Sequence, residues 1–453
     1  MTCRHLFQGR GFGLLVSALL LLGNPSAPEA QDKVGNGSLT ISDGSWGSVY
    51  ALQLRPKNGN ALAESARLVI NGGSVSSSIY GGYARSDNAA ARAGSNSVII
   101  SGGLTGNSPG IYGGYARSSV SATAAANSLN ISGSLALGMM ASAYGGYARA
   151  DGGNGGLFMA SNNRVNIDGT AHLMQAFGGR ISAINGGSDT NAAAYGNMVN
   201  VSGGSVDELY GGSATGKGTA DASGNTVSIS GGTHGHVVGG QAFSSGRDAT
   251  ANDNVISVTG GRITENLIAA SVQSDATNAS ASNNAVYLNN AVVEQSVTGG
   301  FSPDTAIPTS LNNNSIVVGA GATVHGAVHG GDAAGTADGN SASYNTIAVV
   351  LGGKVDGELV GGNLEKSAGD ASHNTILVSD GSVGGDIHGG QTAGDGSASN
   401  NAISVLQGGQ VSGSLTGGSL QGTGDASSNT ILISDGSVGG DIHGGQTAGG
   451  GSA

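Results

Sequence analysis

The amino-acid sequence predicts an all-β protein, a parallel β-solenoid (β-helix) built from about 14 tandem glycine-rich repeats of about 27–32 residues. Three observations lead there. The stretch NTILVSDGSVGGDIHGGQTA at residues 374–393 returns almost letter for letter at residues 429–448, with a looser copy at residues 401–418 between them. Within each copy an Asn-x-(Val/Ile)-x-(Val/Ile) run alternates with period two, the mark of a strand with one buried face. A Gly-Gly or Asp-Gly turn follows, then a second short strand that ends in a Gly-Gly pair. A module this short cannot bury its own apolar face, whereas stacked modules share a continuous core. A β-propeller would need four strands in blades of about 40 residues, and these units are too short.

The chain opens with Arg4, His5 and Arg10, an apolar run over residues 11–22, then Pro25, Pro28 and small residues. That three-part pattern predicts a secretory signal peptide over residues 1–30, cleaved after Ala30. The run is shorter than the roughly 20 apolar residues that span a bilayer. Cys3, the single cysteine, leaves with it. The exported chain then holds together by stacking and hydrogen bonding, without disulfides.

Residues 31–65 read as a degenerate capping repeat and a polar connector. GSLTISDGSWGSVYA at residues 37–51 is a worn module, with Trp46 where Val383 and Val438 stand later. An atypical outer coil closes the end of a stacked core. The connector runs over residues 53–64, and the repeat region over 66–453, where the sequence stops partway through a module.

Two landmarks set the register of the repeats. Gly-Gly pairs open at Gly81, Gly113, Gly145, Gly186, Gly211, Gly239 and onward to Gly444, with Ala269-Ala270 filling one slot. An Asn starts each strand, from Asn96 and Asn127 through Asn401 and Asn429. Most intervals are regular, and a longer excursion around residues 151–177 predicts an insertion. Two residues before each pair stands an aliphatic side chain (Ile79, Ile111, Ile184, Leu209, Val237 and so on to Ile442), a column expected to face the interior. Stacked Asn side chains are expected to hydrogen-bond along the axis. The small polar remainder of each unit, such as GDASHN, reads as a thin third side or a loop. At about 4.8 Å per coil the stack makes a rod about 65–70 Å long.

Charge is sparse and the net value is −12. After Arg180 the only basic side chains are Lys217, Arg247, Arg262, Lys354 and Lys366. A chain this poor in cations does not offer a phosphate-neutralising surface, so no nucleic-acid partner is expected.

The signal peptide, the cysteine-free exported region, the YGGYAR units at Tyr80, Tyr112 and Tyr144, and the later IHGGQTA copies together resemble the passenger region of Gram-negative autotransporters. The likeness covers residues 37–453. It implies a parallel β-helix carried outside by a C-terminal outer-membrane barrel, at the cell surface or released, and serving in adhesion, autoaggregation or biofilm. No alternating amphipathic strands with aromatic girdles stand in this sequence. The chain is therefore read as a fragment or as a protein delivered another way.

Candidate contact residues lie just before and after the Gly-Gly pairs, and two residues before the first of these positions, on the face expected to point outward. At one end these are Tyr80, Tyr83, Tyr112, Tyr115, Tyr144 and Tyr147, with Arg85, Arg117 and Arg149 beside them. They could stack sugars or contact a protein, or simply hold successive coils together as aromatic ladders. At the other end the face carries Glu358, Asp386, His388, Asp441 and His443. His388 and His443 fall two coils apart, about 9–10 Å of rise, too far to share one zinc ion with bonds of about 2.1 Å. His234 and His236 are likewise short of ligands. Glu358 and Asp386 on neighbouring coils could approach the roughly 5–9.5 Å that a glycosidase needs, which makes a β-helix polysaccharide lyase or glycosidase the alternative. Around that pair the face lacks the Arg and Lys to hold an anionic polysaccharide, and the sequence holds no GxSxG, HExxH or phosphate-cradling loop. The expectation is therefore an exported adhesion scaffold without catalysis and without a cofactor or metal. Its partner would be a host or bacterial surface glycan or protein, or a second copy of itself.

Overall fold

The structure, a computed structural model, describes residues 31–453 apart from 103, 107–109, 134–135, 138–140, 154, 304–306 and 365. The expected signal peptide lies outside the described residues. Among those described, every regular element is a strand and every strand pairing is parallel. The expected parallel β-solenoid is what forms.

The coil from Asn96 shows how the sequence builds it. In Ser97–Ile100, Val98 and Ile100 point inward while Ser97 and Ile99 point out. This strand pairs residue for residue with Arg67–Ile70 below and Ser128–Ile131 above. Its equivalents form a 14-stranded sheet, one strand per coil. A tight turn follows, and its pivot has positive φ: Gly73, Gly133, Gly204 and Gly261 in some coils, Asn290, Asp380 and Asp435 in others. Glycine takes that conformation without Cβ strain, and Asn and Asp tolerate it best among the rest. The chain then runs through the long strand Gly110–Ser118 and the third side Ala122–Ala125 before closing the coil. The small polar segment is thus a true third side, with an 11-stranded sheet of its own.

The interior has two lobes. One is aliphatic, filled by Leu68, Val98, Ile100, Leu129 and their successors. The other is rich in alanine, with Ala84, Ala93, Ala116 and Ala124 among its members. Between them runs the Asn ladder. Asn225 Oδ1 accepts from the Asn197 backbone N–H at 3.1 Å and from Asn197 Nδ2 at 2.9 Å, while Asn225 Nδ2 donates to the Ala194 carbonyl at 3.0 Å. The two contacts to the next Asn recur from Asn96 to Asn429. A buried amide is stable only when its donors and acceptors are used, and here each is handed to the next coil.

The Gly-Gly pairs exist for this ladder. A Cβ on Gly113 would stand 2.5 Å from the Gly145 carbonyl oxygen, and one on Gly114 would stand 2.5 Å from Asn127 Cγ. Neither glycine has positive φ. Close approach is what demands glycine here. Because both glycines face the interior, the residues flanking the pair both point outward.

The register differs from the sequence expectation in one coil. Ala176 pairs with Ala143 and Leu209, so Gly178 and Gly179 form the pair facing Asn197. Ile184 is 48 % exposed and Gly186 lies outside the column. The extra residues of this region sit in two excursions, one between Ala150 and Phe158 and one between Ala183 and Ala192, which pair in adjacent coils. Ile184-Asn185-Gly186 lies on the second and only imitates the landmark. The segment read as a connector is also ordinary coil: Val49–Leu54 and Ala61–Glu64 are both strands. Trp46 pairs with Val75 and packs partly buried against the aliphatic lobe, with Lys33 Nζ 4.8 Å from its ring. Ile442 keeps its place opposite Leu415 but is 50 % exposed on the outermost coil.

Candidate functional site

The outer face of the long sheet carries parallel stripes, because every coil repeats the same register. In the first stripe Tyr50, Tyr80, Tyr112, Tyr144, Phe177 and Tyr210 stack face to face at 4.7–5.3 Å between centroids. Tyr83 and Tyr115 stack at 5.1 Å in a second stripe, and Tyr147 meets Tyr115 edge-on. The two stripes interlock, with Tyr80 and Tyr83 perpendicular at 5.1 Å.

All six candidate tyrosines therefore leave the sheet on its outer side, yet they are spent on one another. Tyr83 and Tyr115 are each only 6 % exposed. Burial pushes the Tyr80, Tyr112 and Tyr115 phenols up, to about 12 at Tyr80. Arg55 lies over the Tyr83 ring at 4.6 Å and Arg180 over Phe177 at 4.7 Å, covering faces that the stack leaves open. This is the packing of rings that hold successive coils together. Beyond them, Arg85, Arg117 and Arg149 stand in register as a third stripe. They line an open cleft of 510 Å³ with Asp87 and Asp151.

Toward the other end the first stripe changes chemistry, through Val238, Ile268 and Thr298 to His329. His329 Nδ1 lies 3.3 Å from Asp332 Oδ2 and its Nε2 lies 3.8 Å from Glu358 Oε1, an ion pair too long for a hydrogen bond. Burial alone would lower its pKa, but Asp332 and Glu358 overcome this and raise it to about 9. The Glu358 carboxyl is held below its ordinary value by His329. Asp332 also accepts from Asn363 Nδ2 at 3.1 Å. His388, by contrast, is pushed down by burial, and its Nδ1 is buried without a hydrogen-bond partner.

Glu358 and Asp386 do sit on neighbouring coils, beside the paired Leu359 and Ile387. Asp386 Oδ1, however, accepts the Ser414 backbone N–H at 2.7 Å, the part Asn266 plays for Ser296 elsewhere in the stack. It is a turn-holding acceptor, which is a structural use for the carboxylate. His388 pairs with Thr416 and Thr416 with His443, confirming the two-coil separation. Asp441 and His443 are exposed on the outermost coil. His234 is buried in the aliphatic column opposite Val206 and Ile263, with Nε2 3.0 Å from the Gly231 carbonyl. Among the described residues no three His, Asp or Glu side chains converge in a metal-binding arrangement.

Sequence reasoning did not single out the His329–Asp332–Glu358 cluster. A usable signal was present: HGGD at residues 329–332 has the spacing of YGGY at 80–83, so both flanking residues face out together. No family model, no curated protein and no solved structure matches this chain.

Proposed function

We propose that this protein is an exported rod that works at or beyond the cell surface as a scaffold for adhesion or self-association, without catalysing a reaction. The observation that carries the reading is the arrangement of outward polar and charged side chains in stripes that follow the axis from coil to coil. Contact spread along such a face suits a long or repetitive partner, a surface glycan or protein or another copy of the rod. The likeness to autotransporter passengers, including the leader-like residues 1–30, supports export. It also makes an outer-membrane barrel the expected carrier. The polysaccharide-cleaving alternative is the less favoured reading, because Asp386 already has a structural use as the acceptor of the Ser414 N–H.

The test is adherence. Residues 31–453, immobilised on beads, should bind cells or glycan-coated surfaces, or aggregate the beads. Beads that stay dispersed and bare would remove the reading. So would release of reducing ends from a polysaccharide that stops in Glu358→Gln, because a scaffold is indifferent to that change.

A further inference from the structure

We propose that the cleft over Arg85, Arg117 and Arg149 binds an acidic polysaccharide, a sugar chain carrying carboxylates at intervals. This deepens the adhesion reading by naming a ligand class, although the site itself stands on local geometry. The three arginines are in register on consecutive coils, so their guanidinium groups form a line along the rod with a rung about every 4.8 Å. The line spans about 10 Å, more than one small anion can bridge.

Counter-charge within the protein is incomplete. Arg85 Nε pairs with Asp87 Oδ1 at 3.1 Å, but Arg117 and Arg149 share the single carboxylate of Asp151. Arg117 holds it closely, and Arg149 reaches it only at 3.8 Å, with its Nε left without a hydrogen-bond partner. A guanidinium offers a planar fork that a carboxylate fills with two parallel hydrogen bonds. The side chains are 28–38 % exposed as a whole, although Arg149 Nε itself is buried and Arg117 Nε is held by Asp151, so a ligand meets the outer parts of the guanidinium groups.

The remaining lining selects among polyanions. Asn185 and Ser119 supply neutral donors and acceptors, and the two aspartates supply acceptors, which together suit sugar hydroxyls. The same aspartates repel a polymer as densely charged as a nucleic acid, with a charge about every 1.7 Å of duplex axis. The rest of the rod steers the ligand. Residues 31–180 hold ten Lys and Arg against six Asp and Glu, whereas residues 181–453 hold five against 22. A polyanion is drawn to the first part and turned away from the second.

The test uses the purified chain with polygalacturonate as the carboxylated probe, and dextran, heparin and single-stranded DNA as neutral, sulfated and phosphate polymers. Polygalacturonate should bind, dextran should not, and added NaCl should weaken the complex. Arg117→Gln with Arg149→Gln should raise Kd about tenfold or more, and Arg262→Gln on the acidic part should leave it unchanged. Asp87→Asn should tighten binding several-fold, an outcome that misfolding cannot imitate. Equal binding of dextran, tighter binding of heparin or DNA, or an unchanged Kd in both cleft variants would overturn the proposal. If cells still adhere while polygalacturonate does not bind, the site falls and the scaffold stands. Binding without adherence is the reverse.

Discussion

Residues 31–180 and residues 181–453 share one interior and wear different exteriors. Inside, Asn127 in the first region and Asn345 in the second each accept the backbone N–H and the side-chain amide of the preceding rung, at 2.9–3.1 Å. Outside, the first region shows interlocked tyrosines and a line of arginines. Beyond Tyr210 the second replaces them with aliphatic, Thr and His side chains and a strong excess of carboxylates. The difference teaches that the frame is specified from within. The outward positions are free to vary because the glycines and the Asn ladder have already fixed the backbone.

If that is right, interior lesions should cost the same in either region, and these are the largest effects expected. Asn127→Ala and Asn345→Ala each strip the acceptor from two buried donors, at about 1–3 kcal/mol per unsatisfied group. Both should lower the melting temperature steeply and by similar amounts. A mild loss in one region alone would break the idea of a common frame.

Next come outward changes within one column, where the regions should part. Tyr112 stacks between Tyr80 and Tyr144 at 4.9 and 4.8 Å. Tyr112→Ala removes both contacts, each worth about 0.5–1.5 kcal/mol beyond burial. Val360→Ala, at the equivalent position of a later coil, loses only two methyl groups, at about 0.8 kcal/mol per buried carbon. Chemical denaturation of the pair should rank the tyrosine variant as the more damaged. Equal losses would mean that the rings contribute no more than ordinary burial.

A further effect is confined to the second region and depends on pH. The folded-state pKa of His329 is raised to about 9, above the roughly 6.5 of a free imidazole. Its stabilisation is therefore complete below pH of about 6.5 and fades as pH rises through about 9. Melting curves of wild type and His329→Gln should differ at neutral pH and converge in alkali. The Tyr80 and Tyr210 phenols stay neutral over that window, since burial pushes both up to about 12. A gap that widens with pH would mean that Asp332 and Glu358 do not hold the imidazolium.

The fold was legible because its determinants are local and periodic. Alternation in Ser97–Ile100 and its equivalents, the Asn at the strand start and the Gly-Gly pair recur in nearly every coil, and together they set strand, ladder and close approach. Ile184 was misread because Ile-Asn-Gly-Gly on an excursion has the same letters as a true landmark, and only pairing partners tell them apart. The candidate site was harder. Placing Tyr83 or Tyr115 on the outer face follows from spacing alone, but whether a ring is offered to a ligand or covered by its neighbours depends on side-chain directions between coils. The His329 cluster stayed hidden for a related reason, since Glu358 reaches it from the next coil.

The ladder has one more consequence. Each rung presents the same amide to the coil above that it receives from the coil below, so the ladder itself continues across a junction between any two of its coils. An in-frame gain or loss of a whole unit, such as the near-duplicate at residues 374–393 and 429–448, alters how far the molecule extends and nothing about how it closes. Reach is thereby a heritable quantity, adjustable in steps of one coil by unequal recombination between copies.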